Sequence, residues 1–244
     1  WPSCNGRAYG MDVLYILSLA TQALAAVPTT LVLSFGGMLL AVAIAALLHL
    51  LRASRLPVVT QLVDLFLLIT RSVPLLIQLF IVFYGIPAVV STIRLSRGLP
   101  ASGGRWPELL LVIIAFGLST SANVFHNMRA ARLSVPNEQI EAAFSVGMTK
   151  SQAFSRIVLP QALSALIRPL GNTFITVIKA SSIAYFVSVK DIMGAARIAG
   201  APAFRFIEVY IGAALIYWAL SLLLGRVVLW AEKRARAYLV PARN

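Results

Sequence analysis

Two stripes of polar residues interrupt long apolar runs. Asn172, Thr176 and Lys179 are spaced to share one helix face, and Ser119, Asn123 and either His126 or Asn127 form a second stripe. Amides and hydroxyls can bind both ends of a zwitterion, and a lysine attracts a carboxylate. Polar groups in hydrocarbon are costly, so they face a partner helix or a wet cavity. Two facing stripes could line a polar path through the apolar layer, with Gln78 a further candidate on position. The same residue types also act as hydrogen-bonding glue between membrane helices, and a lysine near a helix end can snorkel to headgroups; both readings stand here. This is chemistry of recognition rather than of bond-making. Cys4 is the sole cysteine, His49 and His126 lack metal-ligand spacing, and no set of acids and histidines converges for catalysis. The G-x-x-x-x-G-K-[ST] phosphate loop is absent from the sequence.

The elements that position these residues follow from hydropathy. Of 244 residues, 59% are hydrophobic and 12% charged, too apolar a balance for a soluble domain of this length. The window 27–48 supplies the ~20 apolar residues that cross ~30 Å of hydrocarbon. Continuous rather than alternating runs select helices over a barrel. The expected fold is an all-α membrane protein with about five transmembrane helices, at 27–48, 74–90, 109–128, 165–187 and 207–230. An interfacial lead-in at 57–70 ends at Arg71-Ser72-Val73-Pro74, where proline's missing N–H and its clash with the preceding turn predict a kink. Arg71 and Pro74 are assigned to that kink, Arg71 as its interfacial anchor and a partner for Asp64 two turns earlier. Segments 91–107 and 190–206 read as outer loops.

The net charge of +13 has no soluble basic domain to carry it, which excludes nucleic acid as the partner. Basic residues concentrate in the loops after the first and third spans and in the C-terminal tail. That bias predicts an outside N-terminus and a cytoplasmic C-terminus, although Arg94, Arg97 and Arg105 make the first outer loop basic too. Residues 1–26 form an N-terminal segment whose first ten read as an upstream extension, and no signal-peptide cleavage site is expected. A single domain covers 27–235, followed by a basic tail at 236–244.

The polar loop 129–161 is the most specific feature. Pro136 suits a first helical turn and Asn137 a cap. Glu138 and Glu141 place negative charge near a helix N-terminus, and Ala142 and Ala143 leave a low surface. Gly147 can take the left-handed conformation that ends a helix. A second short helix is expected at about 149–156, with Leu159-Pro160 marking re-entry towards the fourth span.

The pattern Glu141-Ala142-Ala143, three residues, Gly147, nine residues, Ile157-x-Leu159-Pro160 resembles the coupling loop of ABC importer permeases. That resemblance implies a loop that docks into a cytoplasmic ATPase. Glu141 would help hold the loop, Gly147 permit its turn, and Phe144 and Met148 supply apolar contacts. Pro28-Thr29-Thr30-Leu31, Arg71-Ser72-Val73-Pro74-Leu75-Leu76-Ile77-Gln78 and Pro169-Leu170-Gly171-Asn172 extend the likeness to the polar amino acid (histidine/glutamine/arginine-type) permeases, over roughly 28–235. The resemblance implies the transmembrane subunit of a type I importer in the bacterial cytoplasmic membrane, moving a polar amino acid or derivative inward by alternating access. It also implies a second permease subunit, identical or homologous, an ATPase dimer that binds ATP and Mg²⁺, and an extracytoplasmic substrate-binding protein. The chain itself would be no enzyme and would hold no cofactor. Departures from the family pattern at Ser72, Val73, Asn123, Phe125, His126 and Ala180 suggest an unusual cargo. Methionine or an opine is the alternative cargo, and a scaffold that merely binds a cytosolic protein is the alternative function.

Overall fold

A computed structural model describes residues 12–54, 56–100 and 106–239, with side chains to residue 235. The first ten residues, Arg55, Arg105 and the tail at 240–244 lie outside the described residues.

Five apolar stretches are long enough to cross a membrane: α2 (Val27–Ala53), α4 (Leu75–Ser96), α5 (Glu108–Leu133), the helical path Lys150–Val187 that contains α8 (Leu159–Ala180), and α10 (Phe206–Leu239). The spans run longer than hydropathy predicts because polar and basic residues at their ends continue the same helices. Large apolar side chains such as Leu39, Ile81, Leu223 and Trp230 cover the outside. Lipid is their natural solvent.

Because lipid is as apolar as leucine, helices hold together by close packing, which small residues permit. The α2–α5 contact is built this way. Ala41, Ala45 and Ala122 are fully buried at it, and a Cβ added at Gly117 would lie 2.6 Å from the Leu40 side chain.

α3 (Pro57–Ser72) folds back along the end of α2 and stops before extended Val73 and Pro74. The break frees carbonyls that water cannot reach easily. Gln78 answers this directly, its Nε2 donating to Thr70 O at 2.8 Å and Val73 O at 2.7 Å. The expected Asp64–Arg71 pair does not form. Asp64 faces α2 and pairs with Arg52, while Arg71 Nη1 reaches across to His126 Nε2 on α5 at 3.3 Å. Folding α3 against α2 put a nearer cation opposite Asp64.

Two helices lie outside the five expected spans. α1 (Val13–Leu24) is capped by Asp12, whose carboxylate accepts from Leu14 and Tyr15 N–H, and it packs on α10. α9 (Ile192–Gly200) replaces most of the expected loop 190–206. Its cap, Asp191, is wholly buried, accepting Gly194 N–H at 2.8 Å and the Tyr217 hydroxyl at 2.7 Å. Beside it the Ile192 N–H donates to Thr30 Oγ1 at 3.2 Å. One cluster thus ties α9 to α2 and α10. Burial pushes the Asp191 carboxyl above the usual carboxylate range, against its hydrogen bonds from Gly194 and Tyr217.

Asp191→Ala strands the Gly194 N–H and the Tyr217 hydroxyl, and a loss of about 2–4 kcal/mol is expected, read as a lower melting temperature in detergent. Asp191→Asn keeps the cap and loses less. A raised folded-state pKa stabilises below the ordinary carboxylate range, and this contribution is lost as pH rises through the raised value. The melting temperature of Asp191→Asn should therefore depend less on pH, from about 4 upward, than that of the wild type.

Candidate functional site

The loop 134–161 is a stiff double-helical finger. α6 (Asn137–Ser145) starts directly behind Pro136, which occupies the cap position; Asn137 is the first helical residue and its side chain caps nothing. Proline's extended backbone fixes the entry, so the expected asparagine cap is not used. At the other end Gly147 takes φ +81°. Its N–H donates to Phe144 O and the Met148 N–H to Ala143 O, both at 3.0 Å, the double bond pattern that closes a helix through a left-handed residue.

Thr149 then opens α7 (Lys150–Ala153) with a reciprocal cap. Its hydroxyl accepts Gln152 N–H at 3.3 Å, while Gln152 Oε1 accepts Thr149 N–H at 2.9 Å. The second helix does not end near 156 as expected. A wide turn, Phe154–Val158, carries it without interruption into α8. Pro160 explains the wide turn: a tight one would press its ring against the carbonyl of Arg156. Ile157, Leu159 and Pro160 therefore lie on a continuous rod, not at a re-entry corner. Gln161 Nε2 donates to Gln139 Oε1 at 2.7 Å, bracing α6 against that rod.

The finger's faces are distinct. Ala143 is buried, whereas Glu141, Ala142 and Phe144 are exposed, Met148 is half-buried, and Val146, which the motif reading omits, is 75% exposed. Among the described residues the Glu141 carboxylate has no hydrogen-bond or ion-pair partner, so it does not brace the loop from within. It points outward beside an apolar tip.

The second feature is a groove of about 460 Å³ between α5 and α8, lined by Asn123, Asn127, Arg168, Pro169, Asn172, Thr173 and Thr176. Asn123, Asn172 and Thr176 thus come together on exposed surface. Asn127, not His126, completes the α5 side, donating to Thr173 Oγ1 at 3.0 Å. Arg168 reaches the groove while lying 3.7 Å from Glu232 on α10. Sequence reading missed Arg168 and Thr173; Arg168 stands one turn before Asn172 on α8, which helical spacing encodes, and Thr173 directly follows Asn172. Ser119 and Lys179 lie on the same two helices but outside the lining. Gln78 is committed to the α3–α4 break. Among the described residues no three His, Cys, Asp or Glu side chains gather to hold a metal.

A finger joined to a span, and a polar groove on a surface otherwise built for lipid, set this helical bundle apart. The profile of the binding-protein-dependent transport system inner membrane component family matches residues 37–237. The chain belongs to that family. It is 35% identical over 230 residues to the probable amino-acid ABC transporter permease PatM of Vibrio harveyi, covering 94% of this chain and 99% of that one. It is 34% identical to the L-cystine transport system permease TcyL of Bacillus subtilis, over 86% of this chain and 85% of that one. A crystal structure of an amino acid ABC transporter with histidines superposes with a TM-score of 0.78 at 26% identity, covering 92% of this chain and 99% of the other. The permease is thus a multi-pass translocation subunit, with ATP hydrolysis left to a separate chain.

Nothing lies within 4 Å of a Cβ added at Gly147, so the cost of a side chain there is torsional rather than steric. Gly147→Val should destabilise the turn by about 1–2 kcal/mol and speed amide hydrogen exchange at 146–148, whereas Gly147→Asn should be tolerated.

Proposed function

We propose that this permease moves a polar amino acid or amino acid derivative into the cytoplasm by alternating access. It pairs with a second permease subunit, a copy of itself or a homologue, and receives cargo from an extracytoplasmic binding protein. A cytoplasmic ATPase dimer, which binds ATP and Mg²⁺, grips the finger, with Glu141 offered to a polar partner and Ala142, Phe144 and Val146 to an apolar cleft. The N-terminus is outside and the C-terminus cytoplasmic, in keeping with the basic residues near the finger.

The observation that carries this reading is the exposed groove between α5 and α8. Asn123, Asn172 and Thr176 cannot be left facing hydrocarbon, so they meet a sister subunit or a wet path. Amide oxygens suit an α-ammonium group, and amide N–H groups with the Arg168 guanidinium suit an α-carboxylate. No acid lines the groove, which favours cargo without a strongly cationic side chain. The relatives named for amino acids and for cystine, and the solved transporter with histidines, support the same cargo class. The rod from the finger through α8 leads straight to the groove, giving ATPase movements a mechanical route to the cargo.

ATP-driven uptake of a panel of labelled amino acids into proteoliposomes, with the ATPase and binding protein present, tests this. Asn172→Leu and Asn123→Leu should each lower uptake by about tenfold or more while the ATPase still co-purifies. Wild-type uptake in both variants would sink the groove assignment; no uptake of any amino acid by the wild type would sink the cargo class. Gly147→Val should stay inserted and lose coupling.

A further inference from the structure

The end of the bundle that carries α6 and α7 holds a cationic feature that transport does not use. A cavity of about 480 Å³ between α2, α3 and α5 is lined by Arg52, Arg71, Arg129 and His126, with Asp64 as its one acid. Arg52 and Arg129 also line the mouth of an adjoining groove of about 770 Å³ between α2, α5 and the start of α8, joined there by Arg132 and by no acid. Across the two hollows, four arginines stand against one carboxylate. That carboxylate is already paired with Arg52, and Arg71 faces only the His126 ring nitrogen. Among the described residues no carboxylate lies within ion-pair distance of Arg71, Arg129 or Arg132.

The depth and the walls of the site narrow its occupant. Arg52 and Arg132 are in the last turns of their spans, the level at which a membrane changes from hydrocarbon to headgroup. Beyond them the larger groove is walled by Leu50, Phe154, Leu159 and Leu163, all exposed. Such walls offer a free hydrated anion nothing, and a zwitterionic choline headgroup would bring its own cation among the arginines. An anion tethered to an acyl chain satisfies both halves.

We propose that the paired hollows bind an anionic phospholipid, the phosphate between Arg52, Arg129 and Arg132 and an acyl chain along the apolar groove. Arginine's planar fork matches phosphate oxygens two at a time, and clustered basic residues at a membrane surface select anionic lipid. Because Phe154 opens the wide turn between finger and span and Leu159 directly follows it, a bound lipid stiffens the joint through which the finger moves α8.

The test is native mass spectrometry of the complex purified in mild detergent, titrated with phosphatidylglycerol or with phosphatidylcholine of the same acyl chains. Phosphatidylglycerol should be retained on the order of tenfold more strongly. Arg129→Gln with Arg132→Gln should abolish that preference, and lysine at both positions should largely restore it. Arg94→Gln with Arg97→Gln, an equal charge loss at the opposite end, should leave it intact. Equal retention of the two lipids by the wild type would overturn the proposal, whether the arginines then face solvent or a partner protein. Displacement of phosphatidylglycerol by millimolar inorganic phosphate alone would also overturn it, because the site would be one for simple anions. The lipid and phosphate comparisons use the wild type and stand even if a variant fails to assemble.

Discussion

Hydrocarbon offers no hydrogen bonds, and that constraint shapes three irregularities among the described residues. Within a regular helix the backbone satisfies itself. At these three places something specific takes over. At the α3–α4 break the Gln78 amide covers two carbonyls. At the start of α9 the buried Asp191 carboxylate and Thr30 hydroxyl cover two N–H groups. At Pro160, where one donor is missing, the helix widens rather than breaks. These polar side chains are spent on structure away from the groove, where others remain exposed.

That separation is what makes the groove informative. Asparagine and threonine in a membrane helix have two common uses, holding the fold together and meeting something that moves through it. Asn127 and Thr173 bond to each other and serve the first use, at the floor of the groove. Asn123, Asn172 and Thr176 stand beside them on exposed surface. Facing lipid would be costly for them, and the proposed reading therefore gives them a sister subunit or a wet path.

The finger and the groove share one mechanical element. The capping box at Thr149, the wide turn and α8 form an uninterrupted helical path from the tip of the loop to Asn172 and Thr176. In the proposed coupling, a hinge at Leu159-Pro160 would absorb a push at the tip, and a continuous helical path would transmit it. The chain turns instead at Gly147, between α6 and α7, where a left-handed residue lets the tip present Phe144 and Val146 outward without bending the rod.

The sequence by itself determined the number of spans, the kink at Pro74, the turn at Gly147 and the family. Each depends on local properties: mean hydropathy over a window, proline's missing donor, glycine's freedom at positive φ, and residue spacing along one helix. Helical spacing also brought Asn123, Asn172 and Thr176 into view, though not which of His126 and Asn127 shares their face. The tertiary structure decided the pairings. Asp64 meets Arg52 instead of Arg71, Gln78 serves a backbone break, and Asp191 caps a helix that composition alone reads as loop. These outcomes depend on how closely α2, α3, α5 and α10 approach one another. Several polar partners compete for each group, and only the packed geometry says which one is within reach.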